Sequence, residues 1–125
     1  MDRLIKICIG DSVVQGALNE GPTATLIWEA LPINGKANLW GDEIYFSIPV
    51  DAELDTTARD VVERGDVGYW PQGRALCIFF GPTPVSQGDE IRPASAVNLV
   101  GKIKGGLQIF KEVQEGMTVR LEKEQ

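Results

Sequence analysis

The chain has 125 residues, 43% hydrophobic and 24% charged, enough for one globular domain with one core, expected over residues 1–125. Twelve Lys and Arg against eighteen Asp and Glu leave a net charge of −6 and no basic stripe, which argues against nucleic-acid partners. There is no histidine, so His-based triads, His-ligated metals and imidazole bases are excluded.

Taken in chain order, the pattern predicts many short strands and one or two helices. Leu4–Ile9 alternates with one fully apolar face, and Gly10-Asp11 turns it into a second strand at Ser12–Leu18. Gly21-Pro22 opens a helix whose apolar face is Ala24, Ile27, Trp28 and Leu31, with Pro32 and Asn34-Gly35 as its stop. Ala37–Trp40 and Glu43–Ile48 read as strands around a Gly41-Asp42 turn. Asp51–Arg64 is open between a loop, a helical turn capped by Asp55 and a strand at Val61-Val62. Val67–Trp70 and Ala75–Phe80 are strands joined by the turn Pro71-Gln72-Gly73-Arg74. After a loop rich in proline (Pro82–Pro93) come a strand at Val97–Ile103, a short helix bearing Leu107, Phe110 and Val113, and a last strand at Met117–Leu121. Strands at this spacing, with turn signals between them, predict a barrel or sandwich whose ends are plugged by helices.

No run approaches the ~20 apolar residues of a membrane span. The N-terminal segment mixes charges into a strand pattern, unlike a signal peptide. Cys8 and Cys77 sit in apolar runs without CxxC spacing, so free thiols in a cytoplasmic protein are expected, with a disulfide as the alternative.

The stretch GDVGYWPQGRALCIFFGPTP, Gly65–Pro84, holds four of the nine aromatic residues. Its GDVGYW and CIFFG resemble the paired strands of cyclophilins. AVNLVGKIKGGL, Ala96–Leu107, and IYFSIP, Ile44–Pro49, are similar to two further cyclophilin segments in the same order. More closely, the whole run with its later SAVNLVGKI resembles a family of short prokaryotic proteins with a minimal cyclophilin-like barrel and no known function. The resemblance implies a mainly β fold: a closed antiparallel cyclophilin-like β-barrel with one or two short helices.

Cyclophilins catalyse prolyl isomerisation with an apolar slot and an arginine that hydrogen-bonds the twisting amide. The matched segments put Phe46 at the arginine position, Val97 at the pocket histidine and Ile78 at the glutamine. Losing one preorganised donor costs roughly 3–4 kcal/mol of barrier lowering, so an efficient isomerase is not expected. A cytoplasmic module binding a peptide or small molecule is expected instead, in a cleft lined by Trp70, Phe80, Ile78, Phe46, Tyr45 and Arg92, with Tyr69 and Phe79 inward. The alternative is a divergent peptidyl-prolyl isomerase using Arg92 or Arg74. The plainer reading of the aromatics is core packing.

Glu43 with Tyr45 and Asp42 offers a carboxylate–tyrosine pair for a small polar or cationic ligand, against the plainer reading of a solvated strand edge. Asp51, Glu53, Asp55 and Asp60 lack the spacing of a cation loop, and Gly105-Gly106 lacks a phosphate-loop signature. No metal and no cofactor is therefore expected. A homo-oligomer, with the cleft as its interface, stays open as a further expectation.

Overall fold

The computed structural model describes residues 3–124. It contains ten strands and one α-helix: β1 (Arg3–Ile9), β2 (Ser12–Leu18), α1 (Pro22–Ala30), β3 (Ile33–Lys36), β4 (Asn38–Leu39), β5 (Glu43–Ser47), β6 (Ala58–Arg59), β7 (Asp66–Trp70), β8 (Ala75–Phe79), β9 (Val97–Lys104) and β10 (Thr118–Lys123). The strands form one sheet in the order β3-β10-β1-β2-β9-β7-β8-β5-β4, with β6 added beside β9. Every pairing is antiparallel.

The local reasons are visible in the residues. Gly10 takes φ +58 in the β1–β2 turn, a backbone region that a side chain disfavours, and the hairpin then buries Ile5, Ile7 and Ile9 on one face. Helix α1 starts at Pro22 and stops at Ala30, because Leu31 precedes Pro32 and is held extended at φ −65, ψ 145. It buries Thr23, Ala24 and Ile27, while Trp28 stays half-buried with the Lys123 ammonium 4.8 Å from its ring centroid. Asn34-Gly35 does not end the helix as expected. It lies within β3, pairing with β10, since the extended Leu31-Pro32 has already redirected the chain. The expected second helix is a short 3₁₀ turn, Gln108–Glu112, whose Phe110 packs on Phe80 at 5.8 Å between ring centroids.

The expected closed barrel is corrected by the hydrogen-bond pattern: the path has two ends, β3 and β4. These ends are consecutive in the chain, separated by Ala37 alone. Ala37 bonds through its N–H to Met117 O at 2.8 Å and accepts from Gly116 N–H at 2.8 Å, after which the chain leaves β10 and pairs with β5 instead. Gly35 on β3 lies so close to Phe46 on β5 that a Cβ there would stand 3.0 Å from the ring. The sheet thus curls round, and its two ends are tied by the chain rather than by a ladder.

Segment 51–64 is irregular apart from β6 and a single antiparallel bridge from Val62 to Ile91, and Asp55 organises it. One carboxylate oxygen accepts from the backbone and hydroxyl of Thr57, the other from Thr23 Oγ1 on α1 at 2.7 Å. Burial pushes this carboxyl up, but the hydrogen bonds from Thr57 and Thr23 outweigh it and hold it below the ordinary range. Fully buried Asn98 completes the junction, donating to Thr23 Oγ1 and Glu53 O and accepting from Asp55 N–H.

Side-chain alternation divides the sheet between two apolar clusters. The larger holds Ile44, Phe46, Val67, Tyr69, Leu76, Ile78 and Phe80 among many others. The smaller, on the opposite face of β5, β7 and β8, holds Cys77, Phe79 and Val97 with Val62 and Ile91, and Tyr45, Trp70 and Leu99 pack against it.

Candidate functional site

The smaller cluster borders a cleft of about 220 Å³, lined by Trp40, Glu43, Tyr45, Trp70, Cys77, Pro93, Ala94 and Val97. Strand register explains the lining. Trp40 and Glu43 face each other across the Gly41-Asp42 turn, with backbone bonds of 3.0 and 3.2 Å in both directions. On β5, Glu43 and Tyr45 share a face and lie opposite Phe79 and Cys77 of β8. The turn after β7 sets Trp70 opposite Ala75, which puts Trp70, Cys77 and Phe79 on one side.

Trp70 is held from two directions. Its indole N–H donates to Ser95 Oγ at 2.7 Å. Its ring lies over Gly73, where a Cβ would come within 2.7 Å of Trp70 Cε3, so only glycine admits the indole there. The Ser95 contact also brings Pro93 and Ala94 up as the facing wall. Gly68 serves the floor in the same way: a Cβ would meet Val97 Cγ2 at 2.8 Å.

The polar group of the cleft is Glu43. It is only 6% exposed, and its Oε1 has no hydrogen-bond partner among the described residues. Burial pushes its carboxyl up to about 7, moderated by the neighbouring Cys77 thiol. Burial, with the adjacent Glu43, raises the Cys77 thiol well above its ordinary value, so Cys77 stays a protonated thiol at neutral pH rather than a nucleophile.

The residues singled out from the sequence are placed differently from one another. Tyr45 and Trp70 line the cleft. Phe46, Ile78 and Phe80 point to the opposite face and are buried in the main core. Their neighbours Tyr45, Cys77 and Phe79 occupy the cleft side, because strand residues alternate. Of the pair expected inward, Tyr69 is in the main core, with its hydroxyl donating to Val50 O at 2.6 Å, whereas Phe79 belongs to the cleft-side cluster. Arg92 does not line the cleft; its guanidinium is engaged by Glu90, with Nε 2.8 Å from Oε2. Arg74 is an exposed turn residue at φ 45. Asp42 flanks the turn and packs at Gly81.

The sequence reading assigns no cleft role to Trp40, Pro93 or Ala94, and marks Cys77 only as a free thiol. The signal for Cys77 and Phe79 was present: a turn at Pro71–Arg74 pairs residue 70 with 75, so 77 and 79 share the side of Trp70. For Pro93 and Ala94 no local pattern exists, since a long loop brings them across.

Comparison with known proteins agrees with this architecture. A search of curated proteins gives no match. Among solved structures, the hypothetical protein AF2241 from Archaeoglobus fulgidus is similar at 42% identity and a TM-score of 0.83, over 98% of this chain and 95% of that one. McbB, solved in complex with tryptophan, is similar in fold at 18% identity and a TM-score of 0.68, over 95% of this chain and 44% of that one. The family model described as cyclophilin-like matches residues 3–122, and the chain belongs to that cyclophilin-like family.

Proposed function

We propose that this chain is a small-ligand-binding module whose site is the Trp40–Glu43–Trp70 cleft, and that it is not an efficient prolyl isomerase. The observation that carries the reading is the carboxylate oxygen of Glu43, buried without a partner among the described residues and lining an aromatic cleft. A buried polar group without a partner costs about 1–3 kcal/mol, more for a charged one, and a ligand that supplies the partner recovers that cost on binding. The walls are pre-formed: Trp70 is fixed by Ser95 and Gly73, which lowers the ordering cost of association.

An isomerase needs a donor at the twisting amide. Neither Arg74 nor Arg92 lines the cleft, so the lining among the described residues holds no guanidinium. The free thiols Cys8 and Cys77 fit a reducing compartment such as the cytoplasm.

The test is a heteronuclear NMR titration of the intact protein with a panel of small aromatic compounds and a proline-containing tetrapeptide, alongside a prolyl-isomerisation assay. The expected result is a shift of the Trp40 and Trp70 indole signals by one or more small compounds, lost in Trp70→Ala, with no acceleration of isomerisation. Acceleration that vanishes in Arg92→Ala or Arg74→Ala would instead establish an isomerase.

A further inference from the structure

Resting on the binding reading above, we propose that the cleft selects a compact arylalkyl ammonium ion, its cationic head at Glu43 and its ring between Trp40, Tyr45 and Trp70.

Three observations converge on that chemistry. First, the cleft's lining carries one carboxylate and no cationic side chain, so the complementary head group is positive. The carboxylate is more than nine-tenths buried, and its Oε1 lacks the donor that an N–H of an ammonium supplies. Second, aromatic faces attract a desolvated cation, and three aromatic residues line the same cleft as this carboxylate. A neutral or anionic ligand gains nothing from that field, and an anion is repelled by it. Third, the size is restrictive. A cavity of about 150 Å³ accepts benzene, so 220 Å³ leaves room for one ring and a short amine-bearing tail rather than an extended peptide.

The protonation behaviour follows. With its carboxyl raised to about 7, Glu43 is mostly neutral at pH 6 and mostly ionised at pH 8. The other titratable groups lining the cleft are Tyr45, on the same strand, and Cys77, on β8. The thiol, raised well above its ordinary value, stays neutral across that interval. The wall from Pro93 to Val97 contributes no titratable side chain to the lining. An alkylammonium stays charged throughout, as a lysine ammonium does, so affinity rises with pH by about tenfold between pH 6 and pH 8.

The experiment measures binding of phenethylammonium, phenethyl alcohol and phenylacetate to the intact protein by NMR, reading the Trp40 and Trp70 indole signals at pH 6, 7 and 8. Nα-acetyl-lysine amide is included as the peptide-side-chain source of the same charge. The expected order is phenethylammonium tighter than the alcohol by about tenfold or more at pH 8, with phenylacetate weakest. Glu43→Gln should remove the preference and the pH dependence together, and a thermal melt confirms that it is folded.

Equal or tighter binding of the alcohol, or an unchanged preference in Glu43→Gln, overturns the ammonium assignment while leaving the cleft a binding site. Tighter binding of the lysine amide overturns the compact ligand in favour of a peptide side chain. If no probe moves either indole, the binding reading itself falls and this inference falls with it.

Discussion

Glu43 sets the pH response at the scale of the single residue. Its folded carboxyl lies near 7 against 4.5 for the free group, so between those values the folded chain holds a proton that the unfolded chain has lost. Stability therefore falls as pH rises through that window and levels off above it. At 1.36 kcal/mol per pH unit the loss is about 3 kcal/mol, present in full above pH 7 and absent below the unfolded value. Glu43→Gln removes this term. Urea unfolding should show the variant more stable than the parent at pH 8, by about that amount, and similar to it near pH 4.5. A variant that is less stable at pH 8 would mean that the carboxylate is compensated in the folded chain. The residue is thus costly to the fold and positioned at the cleft, the combination expected of a functional group rather than a structural one.

At the scale of the element, the β7–β8 hairpin builds the cleft, and its turn carries the backbone strain. Arg74 adopts φ 45, ψ 49, which a side-chain-bearing residue disfavours, while its N–H closes the turn on Pro71 O at 3.1 Å. Replacing it by glycine relieves the left-handed penalty at some cost in chain entropy. Arg74→Gly should gain roughly 0.5–1 kcal/mol of unfolding free energy, seen as a higher urea midpoint, and the Trp70 indole should keep its NMR position because Gly73 and Ser95 are untouched. A loss of stability would show that the Arg74 side chain contributes to the fold through solvent-facing contacts. The same element shows how a turn decides a site. The pairing of Trp70 with Ala75 puts Cys77 and Phe79 on the cleft side and sends Ile78 and Phe80 into the core.

At the scale of the whole molecule, the sheet depends on one short segment to join its ends. β3 and β4 follow each other through Ala37, which is buried and bonded through its N–H and carbonyl to Met117 and Gly116, just ahead of β10. Proline at this position removes the N–H donor to Met117 and disfavours the approach from Lys36. Ala37→Pro should cost at least about 2 kcal/mol and raise amide exchange in β3, β4 and the facing part of β10, leaving the β1–β2 hairpin protected. Uniform exchange across the sheet would instead make the junction incidental to its cooperativity.

The chain's own pattern carries much of this fold. Period-two alternation marks β1, short apolar runs between turn signals mark β2, β5, β7, β8 and β9, and Gly21-Pro22 marks the start of α1, because each is a property of neighbours a few residues apart. Alternation likewise predicts that Tyr45 and Phe46 cannot share a face. In β5 the strand itself separates a polar side, Glu43, Tyr45 and Ser47, from an apolar one, Ile44 and Phe46, whereas in β8 both sides are apolar and the side that faces the cleft is undetermined by the strand alone. That choice needs the partner strand's register and the body of residues packed on each side. β3 was hidden for a related reason: Asn34-Gly35 has the composition of a stop, and only its partner β10 makes it a strand. By itself the sequence determined a mainly β chain with one or two short helices, acidic and without histidine. Tertiary structure alone decided where the sheet ends, which aromatic residues line the cleft, and that Glu43 is buried with an unpartnered oxygen. Burial and partnership are sums over contacts distant in the chain, and no local window contains them.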